Sequence, residues 1–336
     1  MGMHVETYFR ADTLDDLLRE VLPRLLQQDN EITASQGDFT ELFGVMLVLN
    51  NPRARLSRTE SKGKIFSALG ELFWYLSGTN SYRFITHYLG RAAYKKENDD
   101  DDNSVRSGYG ERLFARDGTI NQIENVIRRL KDQSTTRRAV IQLFDATDLT
   151  EDFKQIPCTC SLQFLVRDRK LNVLVNMRSN DAFLGLPHDV FAFTMIQELI
   201  ARSIDADVGV YKHCAGSLHL YSRDRRDAES YLSEGWQSKI AMSSMPVGDP
   251  WGAIRQVRTI EEIARNDQEV DLATISLDPY WMDLCRLFLV FQQWKRRETR
   301  YTESQEACKA LNNQMADKTY CAFVQAKLDS FEEGRP

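Results

Sequence analysis

The stretch from Thr159 to Ser222 constrains this chain more than any other. Thr159–Arg167 alternates large apolar residues with polar or small ones, residues 170–178 do the same, and Asp168 and Arg169 form a turn between them. That pattern predicts a β-hairpin. Residues 190–203 are apolar on every face and read as a buried helix, and residues 208–213 and 217–222 read as two further strands. Strands on both sides of a buried helix predict an α+β fold around one sheet.

Helices are expected on either side of this centre. Leu14, Leu17, Leu18, Val21, Leu22 and Leu25 recur at helical spacing in residues 13–28, with Thr13 as N-cap and Pro23 as a disturbance. Residues 63–77 repeat the pattern through Phe66, Leu69, Leu72, Phe73 and Leu76, with Gly78 as the stop. Glu71 is out of place on that apolar helix. Residues 95–104 carry a charge run that reads as a solvated loop, because its like charges cannot be buried together. After a turn at Asp117 and Gly118, Ile123, Val126 and Leu130 mark another helix, and residues 138–144 a strand. From about Met245 the composition shifts to charged helices, including residues 280–297 and 302–331. The expected organisation is a catalytic domain over residues 1–244 and a helical C-terminal extension over residues 245–336, packed on the same domain.

Composition narrows the function. The 336 residues carry 43 Lys+Arg against 49 Asp+Glu, a net charge of −6, which argues against broad binding to a nucleic-acid backbone. Any anionic ligand must meet a local cluster. No run of apolar residues is long enough to span a membrane, and residues 1–10 lack the features of a secretory signal, so a soluble, cytoplasmic protein is expected. Cys158, Cys160, Cys214, Cys285, Cys308 and Cys321 are too sparse for a disulfide scaffold; each is a small buried residue or a reactive thiol.

The polar segment MRSNDAFLGLPHD, residues 177–189, follows a strand and precedes an apolar helix. Arg178 and Ser179 can grip a phosphate, leaving Asp181 and Asp189 to accept from a polar ring, although the same residues also suit helix caps and turns. Twenty residues earlier stands Pro157-Cys158-Thr159-Cys160. A thiol near Arg178 and the Arg137-Arg138 pair is expected to be stabilised as thiolate, the condition for a nucleophile. A buried structural cysteine is the alternative; a zinc site with His213 and Cys214 lacks the usual ligand spacing.

Taken in order, Glu71-Leu72-Phe73-Trp74-Tyr75-Leu76, Tyr109-Gly110, Arg137-Arg138, Pro157-Cys158 with Gln163, Arg178-Ser179-x-Asp181, Leu184-Gly185-Leu186-Pro187 and Gly216-x-x-His219-x-Tyr221 resemble the motifs of the thymidylate synthase family. The resemblance implies a mixed β-sheet packed with helices and an obligate homodimer. It implies Cys158 as nucleophile toward carbon 6 of a pyrimidine nucleotide and Glu71 as acid/base. It further implies Arg178 and Ser179 as phosphate ligands, Arg137 and Arg138 as arginines reaching the partner subunit's site, and His219 and Tyr221 at the sugar 3′-hydroxyl, with Tyr109 also lining the nucleotide site. Asp181, Leu184 and Gly185 are implied at the folate face, with 5,10-methylenetetrahydrofolate as co-substrate and no metal.

Departures from the family pattern fall at the base. Asp189 stands where thymidylate synthases carry Asn, and Thr159 where they carry His. An Asn amide can accept from the uracil ring N–H and donate to its carbonyl, whereas a carboxylate only accepts, which suits the amino group of cytosine. The chain thus resembles most the cytidylate hydroxymethylase branch, and its length and helical extension are similar to the CMP-using enzymes of nucleoside-antibiotic pathways. The expected reaction delivers a hydroxymethyl group to carbon 5 of CMP in preference to dCMP. A thymidylate synthase methylating dUMP and a non-catalytic nucleotide-binding regulator are the alternatives. Other departures are Ser217 in place of an Asp, His188 at a usually aromatic position and read as pocket wall, no legible counterpart of the family's C-terminal tail, and no clear N-terminal phosphate arginine, for which Arg53, Arg55 and Arg58 are candidates.

Overall fold

The computed structural model describes residues 6–34, 37–59, 63–90, 93–94 and 104–333. Its chain divides into two compact units, Met1–Gly63 with Ser67–Ala241, and Lys64–Phe66 with Met242–Pro336. The charge run at residues 95–104 lies almost wholly outside the described residues.

Among the described residues the first unit holds strands β1 (Tyr8–Ala11), β2 (Ile32–Ala34), β3 (Gly37–Leu49), β4 (Val140–Gln142), β5 (Thr159–Arg167), β6 (Lys170–Asp181) and β7 (Asp207–Tyr221). They form one mixed sheet in the order β1-β3-β7-β6-β5-β4, with β2 paired to β3. Its helices are α1 (Leu14–Leu26), α2 (Ile65–Leu76, whose first two residues fall in the second unit), α3 (Tyr82–Leu89), α4 (Gly110–Phe114), α5 (Gln122–Asp132), α6 (Gly185–Ser203) and α7 (Arg225–Ser233). The α+β expectation is met.

The expected hairpin is β5–β6. Asp168 and Arg169 both sit in the left-handed region, at φ 48° and 59°, which is what a two-residue turn of matching twist requires. From β6 the chain crosses through α6 to β7, which returns parallel to β6 in the register Ser179 to Ser217 and Asp181 to His219. α6 lies over β6 and β7 and is buried along most of its length, which explains why it reads as apolar on every face.

Two sequence expectations need correction. The strands expected at 208–213 and 217–222 are one continuous strand, β7, because the backbone of residues 214–217 stays paired to β3 and Gly216 lets it pass β6 closely. A Cβ on Gly216 would stand 2.8 Å from the Arg178 carbonyl oxygen. The strand expected over residues 138–144 shortens to β4, since Leu143 and Phe144 both turn their N–H to the Cys160 carbonyl and Asp145 then caps a 3-10 turn.

Caps fall where expected. Thr13 accepts from the Asp16 N–H at the start of α1, which accommodates Pro23 without ending. Gly78 ends α2 at φ 71°. Gly70 on α2 is needed for packing: a Cβ there would lie 2.1 Å from the ring of Tyr88 on α3.

The second unit is helical: α8 (Trp251–Arg265), α9 (Pro279–Arg296), α10 (Tyr301–Asn313) and α11 (Cys321–Glu333), with α9 touching the other three. The helix expected over residues 302–331 is thus two, α10 and α11, because the chain turns back at Met315–Asp317: the Ala316 and Asp317 N–H groups donate to buried Asp283 on α9 at 3.0 and 2.8 Å. Phe66, Phe291 and Trp294 stack in sequence, and Lys327 lies 3.6 Å over the Trp294 ring. Among the described residues no helix is long and apolar enough to cross a membrane.

Candidate active site

The site assembles where the C-terminal ends of β6 and β7, the start of β5 and the N-terminus of α6 converge, with α2 supplying one wall. Cys158 precedes a register shift between Thr159 and Ser161, a bulge of the kind that re-aims side chains. Arg178, opposite it on β6, donates through Nε to the Pro157 carbonyl at 3.0 Å and through Nη2 to the Ile156 carbonyl at 3.3 Å, and its Nη2 lies 3.6 Å from Cys158 Sγ. Burial pushes the half-buried Cys158 thiol up, Arg178 opposes that, and Asp189 and Cys160 add to it. Within one chain, the expectation of a thiolate stabilised by surrounding arginines is met by Arg178 alone, against the burial that opposes it. One arginine reaches the sulfur, desolvation outweighs it, and Arg137 and Arg138 stand exposed just before β4.

Glu71 is 6 % exposed on α2, and its Oε1 accepts from the Tyr75 hydroxyl at 2.8 Å and the Tyr94 hydroxyl at 2.5 Å. With both donors on Oε1, Oε2 is the oxygen left to exchange a proton. Tyr75, Tyr94 and Tyr109 all have phenol pKa values well above the ordinary range, mainly from burial, with the Glu71 charge second for Tyr75 and Tyr94 and that of Asp189 second for Tyr109. Tyr75 and Tyr94 act as donors to Glu71. Tyr109 Oη in turn receives the Thr159 N–H at 3.1 Å and its hydroxyl at 2.9 Å, tying the residue after Cys158 to the same wall.

Asp189 sits one turn into α6 and is half-buried. Its carboxyl is pushed well above the usual range by burial first and by Glu71 and Asp181 after that, while a hydrogen bond from Asn180 pulls the other way. The charge of Asp189 is felt by Tyr75, Tyr94, Tyr109, Tyr211 and Cys158, which places all five within its electrostatic reach. His188 makes contacts through both ring nitrogens, Nδ1 with the Leu184 carbonyl at 3.1 Å and Nε2 with Ser67 Oγ at 2.9 Å, as suits a wall residue.

At the other end, Ser179 Oγ lies 3.4 Å from His219 Nδ1, and His219 packs edge-on against Tyr221 at 4.9 Å. The His219 pKa is lowered, chiefly by burial, against the pull of Asp181 and Glu41. Ser217 donates to Glu41 Oε2 at 2.5 Å, so an acidic group does stand beside His219, supplied by β3. Asp181 Oδ1 accepts from the Phe183 and Leu184 N–H groups at 2.8 and 3.0 Å, a capping role that leaves Oδ2 free of hydrogen bonds to the described residues. Leu184, 45 % exposed, and Gly185 adjoin it.

Arg53 and Arg55 are corrected as phosphate ligands. Arg55 has no exposed surface and, with Arg53 at 2.6 Å, grips Glu198 on α6, whose pKa burial would raise but the two guanidiniums hold below the ordinary range. Arg58 donates to the Ile240 carbonyl at 3.2 Å. Sequence reasoning also passed over Tyr75, Tyr94, Asn180 and Glu41. Tyr75 was findable, four residues from Glu71 on one helix face. Among the described residues no group of three or more His, Cys, Asp or Glu is placed to hold a metal ion.

Residues 15–261, which include every group just described, match the family model for thymidylate synthase.

Proposed function

Because that match spans well over half of its 336 residues, the chain belongs to the thymidylate synthase family of folate-dependent enzymes that transfer a one-carbon unit to a pyrimidine nucleotide, and on that premise we propose a cytidylate 5-hydroxymethylase. The substrate is CMP in preference to dCMP, and the nucleophile is Cys158. The observation that carries the reading is Asp189: a half-buried carboxyl, held toward its neutral form, in the same space as Cys158 and Glu71.

Each step falls to a residue of this chain. Arg178 and Ser179 take the phosphate, and Cys158, having given its proton to solvent, adds as thiolate to carbon 6. Asp189 accepts from the cytosine amino group and shares one proton with the ring nitrogen, which draws electrons toward the base as sulfur adds. Uracil presents a carbonyl and a ring N–H there, and a site matched to one polar edge rejects the other by up to about 10⁴-fold. Glu71, through Oε2, takes the proton that carbon 5 loses when the one-carbon unit is attached. His219 and Tyr221 face the 3′-hydroxyl, with Tyr109 closing the wall. Methylenetetrahydrofolate supplies the one-carbon unit when bound, against Asp181, Leu184 and Gly185; tetrahydrofolate leaves, water adds to the exposed methylene carbon, and Cys158 departs from carbon 6 to restore the ring. In a homodimer Arg137 and Arg138 reach the partner's phosphate; their exposure before β4 supports this, as does apolar surface such as Phe43, 82 % exposed on β3.

The test is mass spectrometry of products from competing CMP, dCMP and dUMP with methylenetetrahydrofolate. A 5-hydroxymethyl cytidylate with tetrahydrofolate is expected, lost in Cys158→Ala, and Asp189→Asn is expected to gain activity on dUMP while losing it on CMP. A 5-methyl product with dihydrofolate would establish a synthase instead.

A further inference from the structure

Asn180 is the one residue of the run from Arg178 to Asp181 to which this reaction assigns nothing. It is 4 % exposed at the end of β6, its Nδ2 donates to Asp189 Oδ2 at 2.8 Å, and its Oδ1 is buried without a hydrogen-bond partner among the described residues. A buried amide that leaves its own oxygen unmatched is costly, and the contact made by its nitrogen is what offsets that cost here.

We propose that Asn180 is the positioning residue for the base-reading carboxyl: its amide N–H fixes Asp189 Oδ2 as an acceptor and thereby makes Oδ1 the oxygen that exchanges a proton with the substrate ring. This rests on the reading of Asp189 as the group that meets the base. A neutral carboxyl has one acceptor oxygen and one hydroxyl, and without a fixed donor the two interchange. An N–H held against Oδ2 breaks that symmetry, because the carbonyl oxygen of a neutral carboxyl is a better acceptor than its hydroxyl. The amide also bears on how readily the proton leaves, since its donor favours the ionised form against the burial and the Glu71 charge that oppose it. An amide is suited to the task because it does not titrate. Gly185 keeps the pair in reach: a Cβ there would stand 3.2 Å from Asn180 Nδ2 and 3.7 Å from Asp189 Oδ2.

The contact can be tested without turnover. In full-length protein carrying ¹³C-labelled aspartate, the Asp189 carboxyl resonance is identified by its loss in Asp189→Asn and followed with pH. Asn180→Ala and the near-isosteric Asn180→Leu are each expected to raise its midpoint by about half a pH unit or more, because the ionised form loses a donor. No movement, or a fall, in both variants overturns the proposal; a fall means that the amide oxygen, not its nitrogen, faces Asp189. In turnover, the ratio of kcat/KM for CMP over dUMP is expected to drop about tenfold with KM for CMP changed by less than about threefold. A raised midpoint with an unchanged ratio leaves the Asn180 contact standing and overturns the base-reading role of Asp189 instead.

Discussion

His213 gives the sharpest test of how the sheet core is built. It sits on β7 with no exposed surface, its Nδ1 2.8 Å from the Tyr211 hydroxyl and its Nε2 buried without a partner. Burial pushes its pKa down to about 3. In the unfolded chain the same ring protonates near pH 6.5. Above that pH both states are neutral and the ring adds nothing to the pH dependence. Below it the unfolded state takes up a proton that the folded state refuses, so stability is lost progressively until about pH 3, where the folded ring protonates too. At about 1.36 kcal/mol per pH unit, the loss attributable to this one ring between pH 7 and pH 5 is about 2 kcal/mol. In a domain of this size that is roughly 4–8 °C in Tm. Urea unfolding of the parent and of His213→Phe at pH 7, 6 and 5 isolates the effect, because the packing change in the variant is the same at each pH. The parent is expected to fall by about 2 kcal/mol more than the variant over that range. Parallel stability curves, or a His213 ring resonance that titrates near pH 6.5 in the folded protein, would refute the reasoning.

Two more outcomes follow from groups outside the nucleotide site. Glu198→Ala leaves the unexposed Arg55 without its partner and is expected to cost about 3–5 kcal/mol in urea unfolding; a cost below about 1 kcal/mol would show that the ion pair is not desolvated. Lys327 has its pKa lowered to about 8, by burial first and then by Lys64, Arg297 and Lys295. At pH 8 it holds roughly a hundredfold more free amine than an ordinary lysine, so limiting acetylation followed by peptide mass spectrometry should find it ahead of the median lysine, and a rate at the median would contradict the packing around it.

The parts of this architecture that could be read from residues alone are those where local chemistry and the final fold agree. The β5–β6 hairpin declares itself because its turn and its alternation point the same way, and Glu71 because a carboxyl on an apolar helix face needs a reason. α6 begins at Gly185, five residues before the apolar run at Val190, since its first turn faces the site and carries polar residues. Tyr94 gave no signal: it belongs to no helix or strand, and only the folded chain brings its hydroxyl to Glu71. Asn180 and Asp189 meet across a strand-to-helix turn that no periodicity describes. The arginines at 53 and 55 look available for phosphate until Glu198, 143 positions after Arg55, is found between them. The Cys158 thiol is pushed up for a related reason: counting nearby arginines says nothing about how much water the sulfur loses.

Gly216 has a consequence for anyone redesigning this enzyme. With the Arg178 carbonyl where a side-chain carbon would otherwise stand, the strand carrying Arg178 and Ser179 and the strand carrying His219 and Tyr221 run too close for any side chain at position 216. On the proposed nucleotide reading, room for a bulkier base would have to be cut from α2 and the first turn of α6, since prising the two strands apart would move Arg178 and His219 together.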